Sequence, residues 1–180
     1  MTHSTTRIAS FDGVQLAVHA MGDSAGRPVM LLHGLFSNAH TNWIKYGHAG
    51  KLADAGFRVI MPDLRAHGAS EAPQDASAYP MDVLVRDIRH LIAHYGLEEF
   101  EHGFDLGGFS LGARTTARLL AEGVKPRRAI LAGMGLEGLT GWNRRSAFFL
   151  RVIDRFDEAK RGEPEWMAIQ FMKTTGMDKV

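Results

Sequence analysis

The chain reads as an α/β protein, a mostly parallel sheet with helices on both faces, and three observations carry that reading. Short apolar runs of strand length alternate with segments of helical period. The runs are apolar at consecutive positions, as strands covered on both faces require. Finally, Gly108-Phe109-Ser110-Leu111-Gly112 lies between a strand candidate and a helix candidate. That Gly-x-Ser-x-Gly spacing lets a strand turn sharply into a helix with one serine at the apex.

The elements follow in order. Residues 7–11 and 14–19 flank Asp12-Gly13, a hairpin signal. Residues 28–32 form an apolar strand that ends at His33-Gly34, and residues 57–61 repeat the pattern before Pro62-Asp63. Between them, residues 43–55 are expected to be helical, with Gly56 as the stop. Residues 81–95 give the clearest helix: Met81, Leu84, Val85, Ile88, Leu91, Ile92 and Tyr95 make one stripe, and Gly96 follows. Residues 103–108 predict a weaker strand, because Gly103 and Asp105 are poor strand formers. Residues 111–122 predict a helix ended by Gly123, and 128–132 a sixth strand. Residues 1–135 are therefore expected to form a six-stranded core. Residues 136–180 change character: Phe148, Phe149, Val152, Ile153 and Phe156 share a helical face, and Pro164 is placed to open another helix. This tail is expected to be the start of a helical lid.

Bulk properties bound the function. Lys plus Arg number 21 and Asp plus Glu 20, so no strong field draws nucleic acid or an anionic membrane. The absence of cysteine excludes disulfides and thiolate metal sites. No apolar run approaches the ~20 residues of a membrane span, and residues 1–10 lack the apolar core of a signal peptide. The expectation is a cytoplasmic protein without cofactor or metal, acting on a small molecule; homo-oligomerisation stays open.

The candidate chemistry centres on Ser110 as nucleophile, at a helix N-terminus whose free N–H groups favour developing negative charge. The N–H of Leu35, in the turn after the strand at 28–32, pairs with that of Leu111 as a candidate oxyanion hole. His33 is read as a structural residue bonding nearby loops, and Asp63 and Arg65 as holding their own loop over the sheet. His90 and His94 have zinc-like spacing, but Leu91 stands where a metalloprotease has Glu, so they are read as solvated or partly buried. Gly133-Met134-Gly135-Leu136-Glu137-Gly138 imitates a dinucleotide fingerprint. Gly141 interrupts the helix that should follow it, so a flexible exit loop is expected.

Residues 29–35, 61–68 and 105–112 together resemble the α/β-hydrolase family, specifically lidded serine esterase-like hydrolases, in the family's order and spacing. The resemblance implies Ser110 as nucleophile and the N–H groups of Leu35 and Leu111 as oxyanion donors. It argues against the haloalkane dehalogenase and epoxide hydrolase branches, which use aspartate where Ser110 stands. Trp142, Phe148 and Phe149 are the expected substrate-facing lid residues, selecting an apolar acyl group. The family pattern also expects two more strands, carrying an acid and a histidine, yet none of the nine histidines follows Ser110. The chain is accordingly expected to be the N-terminal part of a longer serine hydrolase and inactive by itself. The alternatives are a non-catalytic ligand-binding relative, a partner chain that supplies the histidine, or C–C bond hydrolysis or acyl transfer on the same machinery.

Overall fold

Asp12-Gly13 turns the chain as its composition predicts. Gly13 adopts φ 90°, and Ser10 N–H donates to Val14 O at 2.8 Å. The turn joins β1 (His3–Ala9) to β2 (Gln15–Met21), antiparallel, with Thr5 opposite His19 and Ile8 opposite Leu16. The computed structural model describes residues 3–136 and 142–177, and of residues 142–145 the backbone. Strands β3 (Arg27–Leu32), β4 (Phe57–Pro62), β5 (Asp105–Phe109) and β6 (Arg128–Ala132) complete a six-stranded sheet in the order β1-β2-β4-β3-β5-β6. β4–β3, β3–β5 and β5–β6 pair parallel; β2–β4 pairs antiparallel.

The consecutive apolar residues of β3 and β4 are explained by burial on both sides. Val29, Leu31, Val59 and Met61 pack with Ala49 of α1 (His48–Asp54) on one face. Met30, Leu32, Ile60 and Leu106 face the other way. They meet Ile88, Leu91 and Ile92 of α2 (Val83–His94) and Leu119 of α3 (Leu111–Ala121). Each fully buried side chain of this size stabilises the fold by ~1.5–3 kcal/mol over exposure. A one-residue slip would exchange the two sets, so burial pins the register.

Three elements differ from expectation, each for a local reason. The helix expected over 43–55 is two pieces, a π-turn at His40–Ile44 and then α1, because Gly47 takes φ 77° between them. α2 begins at Val83 rather than 81: Val83 N–H turns back to Pro80 O, and Asp82 occupies the left-handed region. β5 starts at Asp105, since Gly103 has φ 66°. At its far end, β6 pairs only with β5 among the described residues, leaving Ile130 and Leu131 60% and 44% exposed.

The C-terminal helices α4 (Trp142–Asp154) and α5 (Trp166–Thr175) pack against the loop after β3. Val152, Phe156, Ile169 and Met172 bury against Phe36, with Leu35, Phe148 and Phe149 around them. Buried Glu165 ties the pair to Arg151 at 3.0 Å and Arg155 at 3.5 Å.

Topology fixes where a site can form. The connection leaving β3 runs through α1 to β4, on one side of β3. The connection leaving β5 runs through α3 to β6, on the other side. A crevice opens where such connections diverge, beyond the carboxyl ends of the strands. The two turns that border this crevice carry Gly34-Leu35 and Ser110.

Candidate active site

Ser110 stands between β5 and α3 with φ 52° and ψ −107°. A non-glycine residue there costs about 1–3 kcal/mol and persists only where its surroundings impose it. The surroundings are backbone. A Cβ on Gly108 would lie 2.2 Å from the carbonyl of Gly112, and one on Gly112 would lie 2.2 Å from Leu32 O and 2.8 Å from His33 O. Both glycines are therefore required by close approach. Ser110 N–H donates to Ala132 O of β6 (2.8 Å), and Ser110 O accepts from Arg114 N–H (3.0 Å). Leu111 is the first residue of α3, so its N–H has no intrahelical acceptor. Among the described residues no side chain hydrogen-bonds Ser110 Oγ.

The turn after β3 lies directly against the elbow. A Cβ on Gly34 would sit 3.2 Å from the Phe109 ring and 3.5 Å from Ser110 Cβ. Gly34 N–H donates to Asn42 Oδ1 (2.8 Å), while Leu35 N–H has no acceptor among the described residues. Asn42 was invisible to sequence reading, because a lone asparagine has no spacing signal. Phe36 takes φ 59° and is held there by its neighbours. Phe149 meets its ring edge-on at 5.6 Å, and the Thr175 hydroxyl donates to Phe36 O at 2.7 Å. The two C-terminal helices thus grip the turn that carries Leu35.

His33 has both ring nitrogens committed. Leu64 N–H donates to Nε2 (2.9 Å), which fixes Nδ1 as the protonated nitrogen donating to Gly34 O (2.8 Å). It is a structural cross-link between two loops and cannot serve as a base without breaking them. Asp63 accepts from the N–H groups of Ala39 and Ala69 (2.8 Å each) and from His19 Nε2 (3.2 Å). Burial pushes its carboxyl up, but these hydrogen bonds outweigh burial and hold it below the usual carboxylate range. His67 donates from Nδ1 to Arg65 O (2.9 Å); its Nε2 is buried without a partner among the described residues.

Burial, and then the neighbouring His67 ring at 5.2 Å, push the His33 pKa down to about 4. Burial lowers that of His67 too. The fold therefore binds these imidazoles neutral. Above pH 6.5 both folded and unfolded chains carry neutral His33, and stability does not depend on it. Between pH 6.5 and 4 only the unfolded chain takes up the proton, so stability falls as pH falls through this window. Thermal melting should show a flat Tm above pH 7 and a steep decline from pH 6.5 to 4. A Tm unchanged down to pH 4.5 would contradict this assignment.

The remaining candidates sort as follows. Phe148 and Phe149 lie in the apolar cluster around Phe36, their rings 5.5 Å apart. The side chain of Trp142 lies outside the described residues. His90 is half-buried on α2 and His94 exposed, and no metal-holding group of His, Asp or Glu occurs among the described residues. Gly133 has φ 65°, and a Cβ there would strike the Phe109 ring at 2.5 Å, so this glycine makes room for that ring. The rest of the glycine-rich loop, residues 137–141, lies outside the described residues. No described helix is long and apolar enough to cross a membrane.

Comparison with known proteins agrees with this architecture. The chain is 38% identical over 100 residues to the AB hydrolase superfamily protein YfhM of Bacillus subtilis, covering 54% of this chain and 33% of that protein. It is 35% identical over 94 residues to epoxide hydrolase A of Mycobacterium tuberculosis, covering 52% and 28%. These matches thus span about a third of each relative's length. A solved epoxide hydrolase from metagenomes of hot environments superposes with a TM-score of 0.63 at 21% identity, covering 97% of this chain and 66% of that one. The sequence profile for the alpha/beta hydrolase fold matches residues 27–175. With the sheet order, the strained turn at Ser110 and this match in hand, the chain belongs to the α/β-hydrolase family.

Proposed function

We propose that the protein is a serine hydrolase acting on a small apolar ester or related acyl substrate, with Ser110 as nucleophile. The observation that carries this reading is the strained conformation of Ser110, wedged by Gly108 and Gly112 beside the turn of Leu35. Strain of this kind is retained where function needs it. In the reaction Ser110 Oγ bonds to the acyl carbon as its proton passes to a base. The carbonyl oxygen becomes an oxyanion, held by the N–H groups of Leu35 and Leu111 at the positive end of α3. Collapse expels the alcohol and leaves an acyl-enzyme, which water hydrolyses.

Several of the most similar relatives bear epoxide hydrolase names, but the residue type at 110 favours acyl chemistry. A carboxylate that opens an epoxide forms an ester, which water can cleave. A serine that did so would form an ether, which water does not cleave under mild conditions. Ser110 turns over only where its adduct is an acyl ester.

The base is the open component. His33 is locked between two loops, and no described imidazole bonds Ser110 Oγ. Among the described residues, Ser110 Oγ therefore has no assigned base. The same observation favours a second reading, a non-catalytic relative that binds apolar ligands. Burst kinetics separates the two: an enzyme releases a stoichiometric burst from a chromogenic short-chain ester, and a receptor releases none. The nucleophile is tested by incubating the protein with a serine-directed fluorophosphonate and mapping the adduct by mass spectrometry. The adduct is expected on Ser110. Labelling of a different serine in a preparation that hydrolyses esters would defeat the assignment.

A further inference from the structure

Beside the elbow lies a cavity of about 340 Å3 whose walls include four aromatic side chains, Trp43, Tyr46, Phe109 and Phe171. Phe109 immediately precedes Ser110 in the chain. Its ring is seated between Gly34 and Gly133, neither of which has the Cβ that would displace it. Asn42 and Thr41 supply polar atoms to the same cavity. Asn42 Oδ1 also accepts the Gly34 N–H, so one residue both lines the cavity and fixes the turn that presents Leu35. Tyr46, Phe109 and Phe171 are 65%, 43% and 39% exposed. The structure thus holds several partly uncovered rings around one hollow, one residue from the candidate nucleophile.

We propose that this cavity binds a flat aromatic ring carried by the substrate, so that the preferred esters bear an aryl group. The proposal rests on the acyl-transfer reading of Ser110 for what happens next, but the ring site itself does not depend on it. The cavity volume falls at the small end of the range for ligand pockets, about 300–1,000 Å3, which suits one ring and a short linker. Aromatic walls also discriminate by more than size. Edge-to-face and offset contacts add to the area buried, and a saturated ring of similar bulk lacks them. That increment corresponds to a preference of roughly two- to tenfold.

Isothermal titration with phenylacetate and cyclohexylacetate tests the site without any turnover. Both acids offer a carboxylate to the N–H groups of Leu35 and Leu111, and they differ in the ring alone. Phenylacetate is expected to bind roughly two- to tenfold more tightly. Tyr46→Ala and Phe171→Ala should each remove most of that preference. Tyr46 is mostly exposed, so its replacement should leave the melting temperature unchanged and keep the test interpretable. Equal affinity for the two acids, or an unaltered preference in both variants, would overturn the ring site. The nucleophile is read separately by fluorophosphonate labelling. Labelling of Ser110 without ring preference overturns only this proposal, whereas ring preference in a preparation that hydrolyses esters without labelling Ser110 overturns only the serine reading.

Discussion

Replacing Ser110 by alanine is expected to abolish fluorophosphonate labelling and to lower ester hydrolysis by at least ~10³-fold where the complete machinery is present. For residues 1–180 alone the expectation differs in form. Without an imidazole beside Oγ, the hydroxyl is a poor nucleophile at neutral pH, and hydrolysis should stay within ~10³–10⁴-fold of the uncatalysed rate. Free imidazole added to the buffer should raise that rate above the protein-free imidazole background in the wild-type chain and not in Ser110→Ala, because it can take the proton of Oγ. The fold should tolerate the change, since no described group bonds the hydroxyl. Ser110→Gly should even melt higher, because glycine relieves the strain of φ 52°. Equal imidazole-stimulated rates in wild type and Ser110→Ala would remove Ser110 from the mechanism.

The largest expected effect on stability lies one loop away, at Arg65. Its side chain is fully buried and forks onto two carboxylates. Nε and Nη2 donate to Asp87 at 3.0 and 2.7 Å, and Nη1 and Nη2 donate to Asp12 at 2.7 and 2.8 Å. Ser10 donates its hydroxyl to the same Asp87, and the Phe11 ring lies 5.5 Å from the guanidinium carbon. Burial opposes the charge, yet the two carboxylates outweigh burial and hold the guanidinium protonated more firmly than usual. Arg65→Met leaves Asp87 buried without its cation, a loss expected to be about 3–5 kcal/mol. Urea unfolding would measure it. Arg65→Met combined with Asp87→Leu should recover much of that loss, since the apolar pair leaves no deeply buried charge and Asp12 stays partly exposed. A single variant within about 1 kcal/mol of wild type would contradict the assignment.

The six strands and three sheet helices were legible because burial on two faces writes consecutive apolar residues into β3 and β4, and burial on one face writes a stripe into α2. The break at Gly47 was not. A helix-compatible composition on either side hides one residue with positive φ. The elbow was legible because backbone contact at Gly108 and Gly112 admits no side chain. The supporting contacts were hidden for the opposite reason: Asn42 on Gly34 and Thr175 on Phe36 join residues 8 and 139 positions apart, and such pairings exist only after folding. Phe148 and Phe149 read as substrate-facing from their aromatic character and their place on a helical face downstream of the last strand. Their placement around Phe36 depends on how α4 and α5 meet the loop after β3, and helical period does not encode that.

The bond from Ser110 N–H to Ala132 O gives the outer strand a role beyond sheet pairing. Ala132 ends β6, a strand with little buried surface and one neighbour among the described residues. Segments of that kind open at low free-energy cost, well below global unfolding. Each such opening takes away an acceptor that helps hold Ser110 at its strained angles. The amide proton of Ser110 should therefore exchange with solvent at the rate at which β6 frays, not at the rate set by the central strands. How long the elbow stays strained is then governed by what covers the outer face of β6.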